Sequence, residues 1–207
     1  MSHTRQRRPF APRAATAPLQ PAPVLSDEDR RAILSVCDAL IGRAGRTTLA
    51  MALRGSRAQR VLQHGVAQSR GYGFYTGVPE TDVLARIDAL ITECVLRLEY
   101  RDGFPLLGYT ELGLTLAMRY AAEEWLAVLR SRVQPVADGA ALQLPFLMTA
   151  MPERNQNTVL LLADLVTREA DLPWLPLLRA WAAVETRRIR AVLTPLIAKL
   201  ERPSDVG

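Results

Sequence analysis

The run VLRLEYRDGFPLLGYT, from Val95 to Thr110, is where the sequence changes period. Val95, Leu96, Leu98 and Tyr100 fall in the alternation of a half-buried strand rather than in the spacing of a helix. Asp102-Gly103 is a dipeptide favoured in two-residue hairpin turns, whose central residues adopt positive φ. Leu106 to Thr110 then reads as the returning strand.

Upstream of this hairpin everything has helical spacing. Ser26 followed by Asp27, Glu28 and Asp29 makes an N-cap and an acidic first turn, and Ile33, Leu34, Cys37, Leu40 and Ile41 carry the apolar stripe to Gly42. A second short helix takes Thr47 or Thr48 as its cap, turns Leu49, Ala52 and Leu53 inward, and stops at Gly55. Ser56 is placed to cap a third, Arg57 to His64, ended by Gly65. A loop from Ser69 to Val78 holds three glycines and the aromatics Tyr72, Phe74 and Tyr75. Pro79 at N1 opens a fourth helix with the stripe Val83, Leu84, Ile87, Leu90 and Ile91. Four helices followed by a two-stranded hairpin is the order of a winged helix.

Downstream, Glu111 to Val133 reads as a helix packed on that domain through Leu116, Tyr120 and Leu126. Residues 134–152 are broken by Pro and Gly and read as a linker. Asn155 to Glu169 and Trp174 to Leu200, the latter begun by Pro173 and Pro176, read as two amphipathic helices. The expected fold is mainly α with a small β-hairpin, a winged helix followed by a C-terminal helical hairpin. The expected division is 1–25 as a disordered basic arm, 26–133, a linker 134–152, and 153–207.

With 207 residues, 49% hydrophobic and 23% charged, the chain can bury a core, which excludes global disorder. No apolar run approaches the length of a membrane span, and the first 25 residues lack the apolar centre of a secretion signal. A cytoplasmic protein with buried, reduced Cys37 and Cys94 is expected. Two cysteines with the distant His3 and His64 do not compose a four-ligand zinc site, and no metal or other cofactor is expected.

Charge is unevenly spread. The net charge is +5. Yet Gly42 to Arg70 holds Arg43, Arg46, Arg54, Arg57, Arg60 and Arg70 with no Asp or Glu, and the first 25 residues hold four more arginines and no acid. Concentrated positive charge attracts polyanions. All but one of the basic residues is Arg, which suits phosphate and equally reflects a GC-rich genome. Helix N-termini hold phosphate through unpaired N–H groups and the dipole. Thr47, Thr48 and Ser56 supply hydroxyls at such ends, with Arg46 and Arg57 beside them. Arg57, Arg60 and His64 share one side of the third helix. Arg101 and Phe104 flank the hairpin turn, Phe104 either packed or presented. Tyr72, Phe74 and Tyr75 are candidates for base stacking or for the core. Arg187, Arg188 and Arg190 read as a solvated face. No Ser, His and acid set composes a catalytic motif.

From about Ile33 to Gly113 the chain resembles the RQC domain, the winged-helix module of RecQ-family helicases. The resemblance rests on Gly45, Leu49, the run Leu53-Arg54-Gly55-Ser56, Tyr72-Gly73, Leu90-Ile91, Leu96, Thr110 and Gly113. It is similar in particular to stand-alone bacterial proteins that keep an RQC-like domain without the helicase. The resemblance implies that Arg54 and Ser56 contact the DNA backbone, and that an aromatic at the hairpin tip, here Phe104, wedges against a terminal base pair. Departures are plain. Gly42-Arg-Ala-Gly45-Arg-Thr-Thr is not a phosphate-binding Walker sequence. The four-cysteine zinc element is missing, Cys94-Val95-Leu96 stands where the helicases have Gly-Tyr-Leu, and the hairpin is short.

The expectation is therefore a non-enzymatic protein that holds duplex DNA or a duplex/single-strand junction, nucleoid-associated, in repair or replication. A protein partner on the C-terminal helices is also expected. Two alternatives stand beside it: a sequence-specific winged-helix regulator, and an adaptor working through the helical hairpin.

Overall fold

The computed structural model describes residues 23–139 and 155–202. The expected basic arm, up to residue 22, and most of the expected linker lie outside the described residues.

Helix α1 (Asp27–Cys37) starts as its sequence indicates. Ser26 Oγ accepts from the Asp29 N–H at 3.1 Å, and the Asp29 carboxylate accepts from the Ser26 N–H at 2.9 Å. This reciprocal box satisfies two amides that the helix leaves unpaired. The helix ends at Cys37, short of the apolar stripe's end at Ile41. Residues 42–44 are instead drawn onto the hairpin: the Gly42 N–H donates to the Leu107 carbonyl, and the Leu107 N–H donates to the Ala44 carbonyl. Leu40 is fully buried without being helical.

Helix α2 (Arg46–Leu53) is capped by Gly45, so Thr47 and Thr48 lie inside its first turn rather than capping it. Helix α3 (Gln59–Leu62) is a single turn behind Ala58 and is not capped by Ser56. Only Arg60 of the three residues expected to share its side lies within it. A 3-10 turn (Val66–Gln68) and the aromatic loop lead to α4 (Glu80–Thr92), with Pro79 at the N-cap, one position before that expected.

Strands β1 (Leu96–Arg101) and β2 (Phe104–Tyr109) pair antiparallel, Leu96 opposite Tyr109 and Arg101 opposite Phe104. Asp102 and Gly103 both have positive φ (52° and 81°), the backbone of the expected tight turn. Thr110 then caps α5 (Glu111–Ala137), its hydroxyl accepting from the Gly113 N–H at 3.0 Å.

This 27-residue helix runs into the expected linker, with Pro135 in its last turn, and joins two cores. Leu25, α1, α2, α4, the hairpin and Tyr120 surround the first. Ala122, Leu126, Leu129 and Val133 belong to the second, so Leu126 packs away from the winged helix.

The C-terminal helical hairpin is present, with its second arm broken. Helix α6 (Gln156–Glu169) lies beside α5 and runs in the same direction. Asn155 reaches Met118 at one end, and Glu169 pairs with Arg130 at the other. The expected single helix from Trp174 is α7 (Leu175–Val184) and α8 (Arg187–Glu201). The break has a local cause: buried Glu185 accepts from Trp181 Nε1 at 2.8 Å and from the Thr186 N–H at 3.2 Å. The arm then folds back, pairing Arg179 with Glu201. None of the described helices is long and apolar enough to cross a membrane.

Candidate nucleic-acid interface

The hairpin is fastened to the start of α2. Besides the two Leu107 bonds, the backbone of Gly45 lies so close to Pro105 that a Cβ there would come 2.6 Å from the Pro105 carbonyl oxygen. The first amides of α2, those of Arg46 and Thr47, have no partner among the described residues, and they lie next to the hairpin.

The pleat puts Leu96, Leu98 and Tyr100 on one face, with Arg97, Glu99 and Arg101 on the other. Near α1 the first face packs on the core. At the tip it has left the core, and Tyr100 is 75% exposed. Opposite Arg101 on the outer face, Phe104 is 69% exposed. Of the two roles open to Phe104 from sequence, the structure removes core packing. The wing tip thus carries an aromatic on each face, with a guanidinium beside them.

The Leu53-Arg54-Gly55-Ser56 run is a helix stop. The Ser56 N–H donates to Met51 O and the Gly55 N–H to Ala52 O, with Gly55 at φ 76°. This is the Schellman arrangement, which favours a residue without Cβ at the left-handed position. The aromatic loop is laced to the same end: the Gly73 N–H donates to Ala52 O and the Tyr75 N–H to Leu53 O. Arg54 Nε donates to Val78 O at 2.9 Å, and Tyr72 Oη to Ser56 O at 3.1 Å. A shallow open depression of about 300 Å³ results, lined by Thr47, Met51, Arg54, Ser56, Arg60 and Glu80. Four expected contact residues therefore come together. Thr48, half-buried, is not among the lining residues, and Arg101 and Phe104 lie on the neighbouring wing.

Three of the six arginines in the acid-free window are met by carboxylates from elsewhere in the chain. Arg46 Nη1 is 2.5 and 2.6 Å from the two oxygens of Asp88, Arg54 Nη1 is 3.4 Å from Glu80, and Arg70 Nε is 3.5 Å from Glu124. Arg60 rests on the Met51 sulfur at 3.2 Å. Arg43 and Arg57 are exposed and pair with no carboxylate among the described residues. The positive surface is therefore smaller than the sequence window suggests.

Of the two roles open to the loop aromatics from sequence, Tyr75 takes the core: it is buried and donates to Asp29 at 2.5 Å, while Tyr72 is half-buried with its hydroxyl held by Ser56 O, and only Phe74 of the three is exposed. The cysteine expectation needs correction in part. Cys37 is buried as expected, and burial pushes its thiol up. Cys94 is exposed: it lies beyond the end of α4 at φ 56°, not within the helix. Asp27 and Asp29, read as first-turn charges, also anchor Tyr120 (2.6 Å) and Tyr75.

Sequence reasoning missed Tyr100, whose alternation placed it inward, and the carboxylates Asp88 and Glu80. The stripe of α4 does put Asp88 outside the buried positions. Its partner, 42 residues earlier, has no local signature.

Helices ending in a hairpin wing, with the segment before α2 bound along the second strand, define a winged helix. The RQC domain family model matches residues 27–130, half of the chain, and the protein belongs to that family. The domain is a RecQ-associated DNA-binding domain, which supports a DNA-binding role. Neither the curated proteins nor the solved structures contain a significant match.

Proposed function

We propose that this is a non-enzymatic DNA-binding protein that grips backbone at a duplex end or a duplex/single-strand junction, in repair or replication. One observation carries the reading: the wing tip, with Tyr100 and Phe104 exposed on its two faces beside Arg101, is braced against the start of α2. Exposed aromatics at the tip of a rigid ribbon offer flat faces to a terminal base pair or an unpaired base. Arg43, Arg57 and Arg60 offer charge to the flanking phosphates.

The regulator alternative is disfavoured by α4. That helix precedes the wing, and its exposed or half-buried charges are Glu80, Asp82, Asp88 and Arg86. A net negative helix is repelled from a groove walled by phosphates.

Titration of the full chain with blunt duplexes of different sequence, forks and single strands at several salt concentrations tests the proposal. The expected result is a preference for forks or ends, little sequence preference, and affinity falling steeply with salt. Strong discrimination between duplex sequences supports the regulator. No binding at about 50 mM salt supports the adaptor.

A further inference from the structure

Two arginines at the α2 corner hold carboxylates of α4 rather than standing free. Arg46 grips both oxygens of Asp88, and Arg54 reaches Glu80 while its Nε holds the Val78 carbonyl. Glu80 sits in the first turn of α4, where negative charge is favoured by the helix dipole. Asp88 lies two turns further along and draws nothing from that end. Its carboxylate is spent on Arg46. The one cation of α4, Arg86, is turned elsewhere: it donates to Asp82 O at 3.0 Å, lies 4.0 Å from Asp29, and covers the Tyr75 ring at 5.2 Å.

We infer that Asp88, seconded by Glu80, determines specificity at this interface by withholding Arg46 and Arg54 from the backbone of continuous duplex. The inference rests on the proposed DNA-end reading. Asp88 occupies only Nη1 of Arg46, so a duplex phosphate that takes Nε or Nη2 arrives beside the Asp88 carboxylate, which then faces a strand carrying about one negative charge per 1.7 Å of helix axis. Both ion pairs are open to solvent on one side, so each is individually weak. What they alter is the sum along an uninterrupted backbone. The wing tip meets no such barrier. Its Arg101 has no carboxylate partner among the described residues, and its aromatic contacts carry no charge. Ends and forks, reached by the tip, keep their affinity, while internal duplex loses it.

The test compares binding of wild type and Asp88→Asn to a closed circular duplex and to a short fork, across salt. Asp88→Asn is expected to tighten circular duplex by roughly two- to fivefold, the equivalent of one exposed ion pair. It should steepen the plot of log affinity against log salt by about 1 and leave the fork nearly unchanged. Asp171→Asn, the same charge change in the C-terminal helical region, should do much less. In an Arg46→Ala background the gain from Asp88→Asn should shrink, leaving only the relief of an unpaired carboxylate beside the strand. Glu80→Gln, acting through Arg54, is a second reading should Asp88→Asn fail to unfold cooperatively. Equal effects of Asp88→Asn and Asp171→Asn, or a gain undiminished by Arg46→Ala, overturn the inference and leave the DNA-binding proposal standing. A wild type that binds neither DNA at about 50 mM salt takes down both.

Discussion

Gly45 and Pro105 touch backbone to backbone, although they are 60 residues apart in the chain, and this contact fixes the wing against α2. A methyl group at Gly45 would sit 2.6 Å from the Pro105 oxygen, and neither backbone yields as a flexible side chain would. Gly45→Ala is expected to destabilise the protein by about 1–3 kcal/mol, the range of overpacked sites. Urea unfolding measures it, and an unchanged midpoint would remove the contact from the fold's supports.

Arg57→Ala removes an exposed cation with no carboxylate partner among the described residues. Stability should change by less than about 0.5 kcal/mol, while binding to every DNA sequence weakens and the salt slope falls by about 1. Fluorescence anisotropy across salt reads both, and a slope equal to wild type in a folded variant strikes Arg57 from the interface.

Arg54→Ala behaves differently, because Arg54 also ties the aromatic loop through Val78 and Glu80. A loss of about 1 kcal/mol of stability is expected, along with weaker binding because Glu80 is left unpaired beside the strand. Arg54→Lys should not restore either fully, since an ammonium cannot meet both partners in a fixed fork. Full rescue by lysine would show that charge alone matters there.

Phe104→Ala deletes an aromatic that supports no core. Thermal stability and affinity for intact duplex should stay near wild type, while fork opening, read by a fluorophore and quencher on the two arms, should decline. Equal opening by the two proteins excludes the wedge.

Acid should loosen α1 from α5. The Tyr120 hydroxyl, then Arg31, holds the Asp27 carboxyl below its usual range. Burial pushes Glu123 upward, but Arg31 and Arg119 override it and leave its carboxyl lowered as well. A carboxyl whose folded value is lowered stabilises fully above its unfolded value, and that stabilisation drains away as pH falls through the folded one. Stability is therefore flat near neutrality and declines below the ordinary carboxylate range. Tyr120→Phe, which lacks the hydroxyl bonded to Asp27, should move the acid transition to higher pH in circular dichroism. An unmoved transition would show that this bond is unimportant.

Much of the fold was legible locally. Ser26 as a cap before Asp27 to Asp29, the Asp102-Gly103 turn and the return to helix at Glu111 each depend on residues within a few positions of one another, and short-range chemistry decides them. The Leu-Arg-Gly-Ser run was legible as a motif and Gly55 as a helix stop, though the lacing of the aromatic loop onto that end was not. Ends of elements went astray where distant chain intervened. Residues 42–44 left the helical stripe for Leu107; the break in the long C-terminal helix is local instead, at Glu185 with Trp181 and Thr186, and was not read from the sequence.

The sequence alone determined the order of helices and hairpin, the family, and the crowding of arginine between residues 42 and 70. Tertiary structure alone decided which of those arginines remain available. Charge is counted along the chain, but a guanidinium is neutralised through space, and Asp88, Glu80 and Glu124 lie outside any window that contains their partners. The same holds for Tyr100 and Phe104. Alternation assigns a side chain to a face of the ribbon, while only the position of the core along that ribbon decides whether the face is covered.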